Sequence, residues 1–83
     1  MIVHDPVHVA DGVELEDVEI GPNVTLGGGS RVRGSRLRDT IVGTNATLVG
    51  CELHDSLVGN EVQLSGVKGQ VDVGDHSVIQ LEG

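Results

Sequence analysis

The sequence predicts an all-β chain, a single-stranded parallel β-helix of triangular section, about five coils tall and with essentially no helix. Three observations carry this. The block Ile20-Gly21-Pro22-Asn23-Val24-Thr25-Leu26 returns at 42–48, at 58–64 and more loosely at 73–79, with an earlier copy at 9–15. A period near six over most of a chain marks a solenoid, because each short unit buries its apolar edge only against the next turn. The chain has no Phe, Tyr or Trp, so its core must be built from Val, Leu and Ile. Thirteen glycines and an excess of β-branched residues disfavour helix and suit strands.

The units follow in order. Rungs open at Val3, Val9 and Leu15 in the first coil, at Ile20, Leu26 and Val32 in the second, and at Leu37, Val42 and Leu48 in the third. Leu53, Val58 and Leu64 open the fourth. Successive openers are five or six residues apart. In six-residue units a second inward position falls on Val7, Val13, Val24, Ser30, Ala46 or Val62; in five-residue units it falls on Val18, Ser35, Thr40, Cys51 or Ser56. All are small or β-branched, as a crowded corner requires. Three interior ladders result: Val3, Ile20, Leu37, Leu53; Val9, Leu26, Val42, Val58, Val73; and Leu15, Val32, Leu48, Leu64. Leu64 and Val73 are too close for two full units, so 65–72 is expected to form an irregular corner before a last rung. Stacked at a strand spacing of roughly 4.8 Å, the coils make a prism about 20 Å tall, a single domain over 1–83.

Composition limits function. Thirteen acidic against five basic residues give a formal net charge of −8, which argues against nucleic acid or an anionic membrane as partner. The apolar runs are too short for a membrane span or a secretion signal, and one cysteine forms no internal disulfide. A cytoplasmic location is the resulting expectation.

The four arginines, Arg31, Arg33, Arg36 and Arg38, fall within eight residues and would suit a phosphate-binding patch. The threading gives a plainer reason for three of them. Glu14 and Arg31, Glu16 and Arg33, and Glu19 and Arg36 are each 17 apart, and Glu52 follows Arg36 by 16, so these side chains form ladders of opposite charge between coils. Arg38 alone has no acid in a neighbouring coil; its equivalents are Gly21 and His54. Of the histidines, His4 and His54 share a column three coils apart, His8 is placed at a corner and His76 near the last rung, so no metal site converges within one chain. Cys51 takes an inward slot and acts as a small hydrophobe. Asp39 with Thr40 and Asp55 with Ser56 are one unit seen twice and serve a turn. The run at 27–29 lacks the following helix of a phosphate loop and suits a corner. Ile41 and Leu57, 16 apart, are expected on the outside as a short apolar column, with Val49 near it. They and the open ends are the candidate subunit contacts.

With the rungs placed, the stretches Val3-His4-Asp5-Pro6-Val7-His8-Val9, Ile20-Gly21-Pro22-Asn23-Val24, Asp39-Thr40-Ile41-Val42-Gly43, Asp55-Ser56-Leu57-Val58-Gly59 and Val73-Gly74-Asp75-His76-Ser77-Val78-Ile79 can be compared as an ordered set. In that order they resemble the C-terminal left-handed β-helix of sugar-phosphate nucleotidyltransferases, especially long-form glucose-1-phosphate thymidylyltransferases. Left-handed winding, against the usual right-handed crossover, is implied by this resemblance and not by the period. In that family catalysis belongs to an N-terminal nucleotide-binding domain, none of whose motifs has a matching position here. The resemblance therefore implies packing against a catalytic domain and subunit association, without catalytic, cofactor or metal residues. Because Met1 opens directly on the first rung, the chain looks like an excised or free-standing copy.

The expectation is a non-catalytic structural or oligomerisation module, forming a dimer or trimer. The alternative is a hexapeptide-repeat acyltransferase, a trimer binding acyl-coenzyme A between subunits with His54 as base. A third class is a metal-dependent hydratase on the same prism, for which three histidines across an interface are not recognisable.

Overall fold

The computed structural model describes residues 1–80. Among them there are thirteen strands and no helix, and every strand pairing is parallel. The first coil holds β1 (Ile2–Val3), β2 (Val7–Val9) and β3 (Glu14–Glu16), and the second β4 (Glu19–Ile20), β5 (Val24–Leu26) and β6 (Arg31–Arg33). The third holds β7 (Arg36–Val42) and β8 (Thr47–Val49), and the fourth β9 (Glu52–Val58) and β10 (Gln63–Ser65). The fifth holds β11 (Lys68–Gly69), β12 (Asp72–Val73) and β13 (Val78–Gln80). The result is a parallel β-solenoid of about five turns, consistent with a left-handed β-helix.

The prism has three lateral faces. The first is built from β1, β4, the start of β7, the start of β9 and β11; the second from β2, β5, the ends of β7 and β9, and β12. The third is the five-stranded sheet β3, β6, β8, β10 and β13. β7 and β9 run through a corner and join the first two faces into one sheet. Their corner unit is one residue shorter than that of the coils below, since Leu37 to Val42 and Leu53 to Val58 span five residues where Val3 to Val9 and Ile20 to Leu26 span six. At the shorter corner only Asp39 and Asp55, each with φ of 48°, fall outside the register, and the strand runs through them.

The interior ladders stack as the spacing predicts. Val3, Ile20, Leu37 and Leu53 are in register and are followed by Gly69; Val9, Leu26, Val42, Val58 and Val73 are in register; Leu15, Val32, Leu48 and Leu64 are followed by Ile79. Ile20, Leu26, Leu48 and Leu64 are fully buried. Over 65–72 the solenoid continues through two short rungs: Val67 is buried, Lys68–Gly69 pairs with Glu52 and Leu53, and Val73 follows Gly69 by only four positions. A glycine thus stands where the other coils have an aliphatic opener.

The first coil differs from the others in burial. Val3 is 45% exposed and Val9 48% exposed although both point inward, because among the described residues no rung lies beneath them.

The second inward positions do more than fill space. The Oγ of Ser35, the Oγ1 of Thr40 and the Oγ of Ser56 each donate to the carbonyl two residues earlier, on Arg33, Arg38 and His54, at 2.7–2.8 Å. Cys51 Sγ makes the same contact with the carbonyl of Val49 at 3.5 Å. The Ser35 and Ser56 hydroxyls also accept from the next coil, from the N–H of Cys51 at 3.1 Å and of Val71 at 3.0 Å. Ser30 reaches the Gly43 carbonyl at 2.8 Å and accepts from the Ala46 N–H at 3.2 Å. The hydroxyls of Ser30, Ser35 and Ser56 give the N–H groups of Ala46, Cys51 and Val71 an acceptor, while the Arg33 and Val49 carbonyls accept in addition from the N–H of Gly50 and Gly66, so a buried polar atom costs little here.

Candidate functional site

Outward positions carry the side chains that remain available, and each face presents a different column. On the second face the column reads His8, Thr25, Ile41, Leu57 and Asp72 from coil to coil. Ile41 is 54% exposed and Leu57 48% exposed, adjacent in register. The expected apolar column therefore forms, two residues tall. Val49 does not belong to it. It lies in β8 on the third face, between Arg33 and Ser65, and is 42% exposed there. The reason is the path of the chain: eight residues after Ile41 it has already passed the next corner, a displacement that spacing alone does not fix without the corner lengths. His8 also differs from expectation, standing in the middle of β2 and not at a corner.

The charge ladders occupy the first and third faces. On the third, Arg31 Nε lies 2.9 Å from Glu14 Oε2 and Arg33 Nη2 3.0 Å from Glu16 Oε2, each pair in direct register. On the first, Arg36 is in register with both Glu19 and Glu52. Its Nε is 3.9 Å from Glu19 Oε1, and no ion pair within 4.0 Å joins it to Glu52 among the described residues. All these side chains are well exposed, where such a pair is worth about 0–1 kcal/mol, so the ladders set register more than they stabilise. Above Glu52 in the same column stands Lys68, and beside the column Arg38 stacks against His54. Together Arg36, Arg38, Glu52, His54 and Lys68 border an open groove of about 440 Å³ on the first face. Glu19, Leu37, Leu53, Gly21 and Gly69 complete its lining.

The histidines are dispersed. His4 Nε2 is 2.9 Å from Glu19 Oε2, His54 Nδ1 3.3 Å from Asp55 Oδ2 and His76 Nδ1 2.9 Å from Glu61 Oε2. Among the described residues no three His, Cys, Asp or Glu side chains group as metal ligands would. Cys51 is fully buried as a free thiol.

A feature of the corners escaped the sequence reading. Between the second and third faces, Gly12, Gly29, Asn45, Glu61 and His76 stack as one column of left-handed residues, with φ between 54° and 78°. Beside it Gly27, Gly43 and Gly59 are packed so closely that a Cβ would meet the coil above. At Gly43 that Cβ would collide with Asn60 Oδ1 and lie 2.8 Å from the Gly59 carbonyl. The Asn60 carboxamide occupies that space and accepts from the Thr44 N–H at 2.8 Å; Asp75 does the same for the Asn60 N–H at 2.8 Å. The recurrent glycine of the repeat is thus a site of close approach, with the Asn or Asp that directly follows the next coil's glycine, Asn60 after Gly59 and Asp75 after Gly74, bridging coils. The adjacent pairs Gly59-Asn60 and Gly74-Asp75, one coil apart, were the available signal.

No protein-family model matches the chain, and no curated protein matches it significantly. Among the described residues no helix is long and apolar enough to cross a membrane.

Proposed function

We propose that the chain is a non-catalytic structural and oligomerisation module whose working surface is a lateral face of the prism. One observation carries the reading: Ile41 and Leu57 form a continuous exposed apolar step on an otherwise polar face, above a core that has no need of them. Side chains of the kind that serve as nucleophiles or bases elsewhere are already committed here. Ser30, Ser35, Thr40, Cys51 and Ser56 hold the backbone, and three histidines sit against carboxylates. A nucleotidyltransferase catalytic domain as natural partner follows from the family resemblance of the repeat order.

Magnitude limits what the column does. Each side chain is already about half covered, so burying the rest yields about 1–1.5 kcal/mol apiece. Two side chains from each of two copies give about 4–6 kcal/mol, which meets only the lower end of the 4–15 kcal/mol cost of association. The column is therefore the centre of a contact that recruits neighbouring residues.

The test is the mass in solution at high ionic strength of the wild type and of an Ile41→Asp, Leu57→Asp double mutant. A dimer or trimer that becomes a monomer supports the reading, and equal masses overturn it. Incubation with acyl-coenzyme A and amino-sugar acceptors tests the acyltransferase alternative. Turnover that is lost on His54→Ala would replace the proposal.

A further inference from the structure

We infer that the first face is a two-fold contact with a second copy of this chain, in which the two prisms lie antiparallel. This keeps the self-association proposed above and adds a second contact on a different face, held by charge.

Above Ile2 in the first coil, the outward column of the first face reads Glu19, Arg36, Glu52, Lys68, one residue per coil and in direct register. Its signs alternate, minus, plus, minus, plus. Read backwards, the series is the opposite of itself. Two copies related by a two-fold axis that runs along the strand direction, midway between the third and fourth coils, therefore meet with every charge opposed. Glu19 faces the partner's Lys68, Arg36 faces the partner's Glu52, and the two reciprocal pairs follow by symmetry, as an isologous contact requires. Beside this column, Arg38 faces the partner's His54, whose ring in each chain has the Asp55 carboxylate at 3.3 Å. That supplies an acid to an arginine that has no ion pair within its own chain among the described residues. The other lateral two-fold, with its axis along the solenoid, sets the column of Arg36 against that of Arg38 and opposes like charges.

Comparison of the faces favours the first as the charged contact. On the third face the arginines close on their glutamates at 2.9 and 3.0 Å, and the same columns continue upward through Thr47 and Gln63, or Val49 and Ser65, without charge. On the first face the equivalent pair is slack at 3.9 Å, with Glu19 held instead by His4 at 2.9 Å, and neither Arg36 nor Lys68 closes on Glu52 among the described residues. These long side chains border the open groove of the first face, which leaves room for the side chains of a facing copy. Contacts made of exposed charges respond to salt, since the Debye length falls from about 30 Å at 0.01 M to about 3 Å at 1 M. Charge complementarity of this kind fixes register and orientation.

The experiment separates this contact from the apolar one by working in the Ile41→Asp, Leu57→Asp background. Sedimentation at about 0.02 M and 0.5 M salt is expected to show a dimer at low salt whose fraction falls several-fold at high salt. Adding Glu52→Lys opposes like charges twice across the axis and is expected to leave monomer at both salt concentrations. Adding Arg36→Glu to that protein gives the series minus, minus, plus, plus, which is again its own opposite when reversed, so the dimer should return. Within one chain the same double swap places like charges in adjacent coils, so a purely intramolecular ladder predicts no recovery. Far-ultraviolet circular dichroism reports that each variant keeps its strands. A background protein that is monomeric at low salt, or a folded double-swap protein that stays monomeric, overturns the inference. Failure of the apolar reading is seen separately, as an unchanged high-salt mass on Ile41→Asp, Leu57→Asp.

Discussion

Replacing Gly43 with alanine tests the account of the corners. The added Cβ would meet Asn60 Oδ1 and lie 2.8 Å from both the carbon and the oxygen of the Gly59 carbonyl. Backbone of the coil above cannot retreat without stretching the ladder from Val42 to Val58, so the insertion behaves as overpacking, at about 1–3 kcal/mol. Displacing Asn60 also breaks its bond from the Thr44 N–H, adding about 0.5–1.5 kcal/mol. The sum, about 1.5–4.5 kcal/mol, is a large share of the roughly 4–12 kcal/mol expected for a chain of this length. Gly74 occupies the same column in the last described coil, and a Cβ there meets nothing within 4 Å among the described residues. Gly74→Ala should therefore change stability by less than about 0.5 kcal/mol. Urea unfolding followed by circular dichroism measures both. If the two substitutions shift the midpoint equally, close approach between coils is not why glycine recurs.

Other expectations follow from the same packing. Leu48→Ala, at a fully buried site in the middle of its ladder, should cost about 2–5 kcal/mol, whereas Val3→Ala, at the open end, should cost under about 1 kcal/mol; comparable losses by urea melts would contradict the burial gradient. Ser35→Ala leaves the Cys51 N–H without its acceptor and should cost about 1–3 kcal/mol, while Cys51→Ser, which keeps the bond to the Val49 carbonyl, should cost less. The Cys51 thiol should react with a disulfide reagent only at the rate of unfolding, and prompt reaction in the native state would place it at the surface. Arg33→Ala should shift stability by no more than about 1 kcal/mol, because its bond to Glu16 is exposed.

The sequence made the fold legible because in a solenoid one local rule, repeated, is also the tertiary rule. The 16 or 17 residue offset that stacks Val32 under Leu48 also stacks Arg33 under Val49 and Ile41 under Leu57. Ladders, burial of Cys51 and the outward place of Ile41 all follow from counting. What counting does not give is the direction taken at each corner, and Val49 was misplaced for that reason. Burial at the ends was equally hidden, since Val3 and Val9 match Ile20 and Leu26 in pattern and differ only in having no described rung beneath them. The corner column was missed because Glu61 and His76 carry no sequence mark of a left-handed residue, unlike Gly12, Gly29 or Asn45. Each is tied to the coil beneath, Glu61 by its N–H to the Thr44 carbonyl and His76 by its N–H to the Asn60 carbonyl.

This division of labour bears on where activity can reside. Every interior position is fixed by its neighbours one coil away, so a polar group placed there is drawn into holding backbone, as the hydroxyls of Ser35, Thr40 and Ser56 are. Outward positions feel no such demand except from the residue directly above or below. A column can therefore change from charged to neutral to apolar between coils without disturbing the fold, as Glu16, Arg33, Val49 and Ser65 do on the third face. That freedom makes pattern on the outside informative. The apolar step of Ile41 and Leu57 and the alternating series from Glu19 to Lys68 lie on faces joined by the continuous strands β7 and β9. Both have their centre between the third and fourth coils. A two-fold axis through that level opposes Ile41 to Leu57 on one face and Arg36 to Glu52 on the other. The level at which copies meet is thus the same on either face, whichever of them makes the first contact.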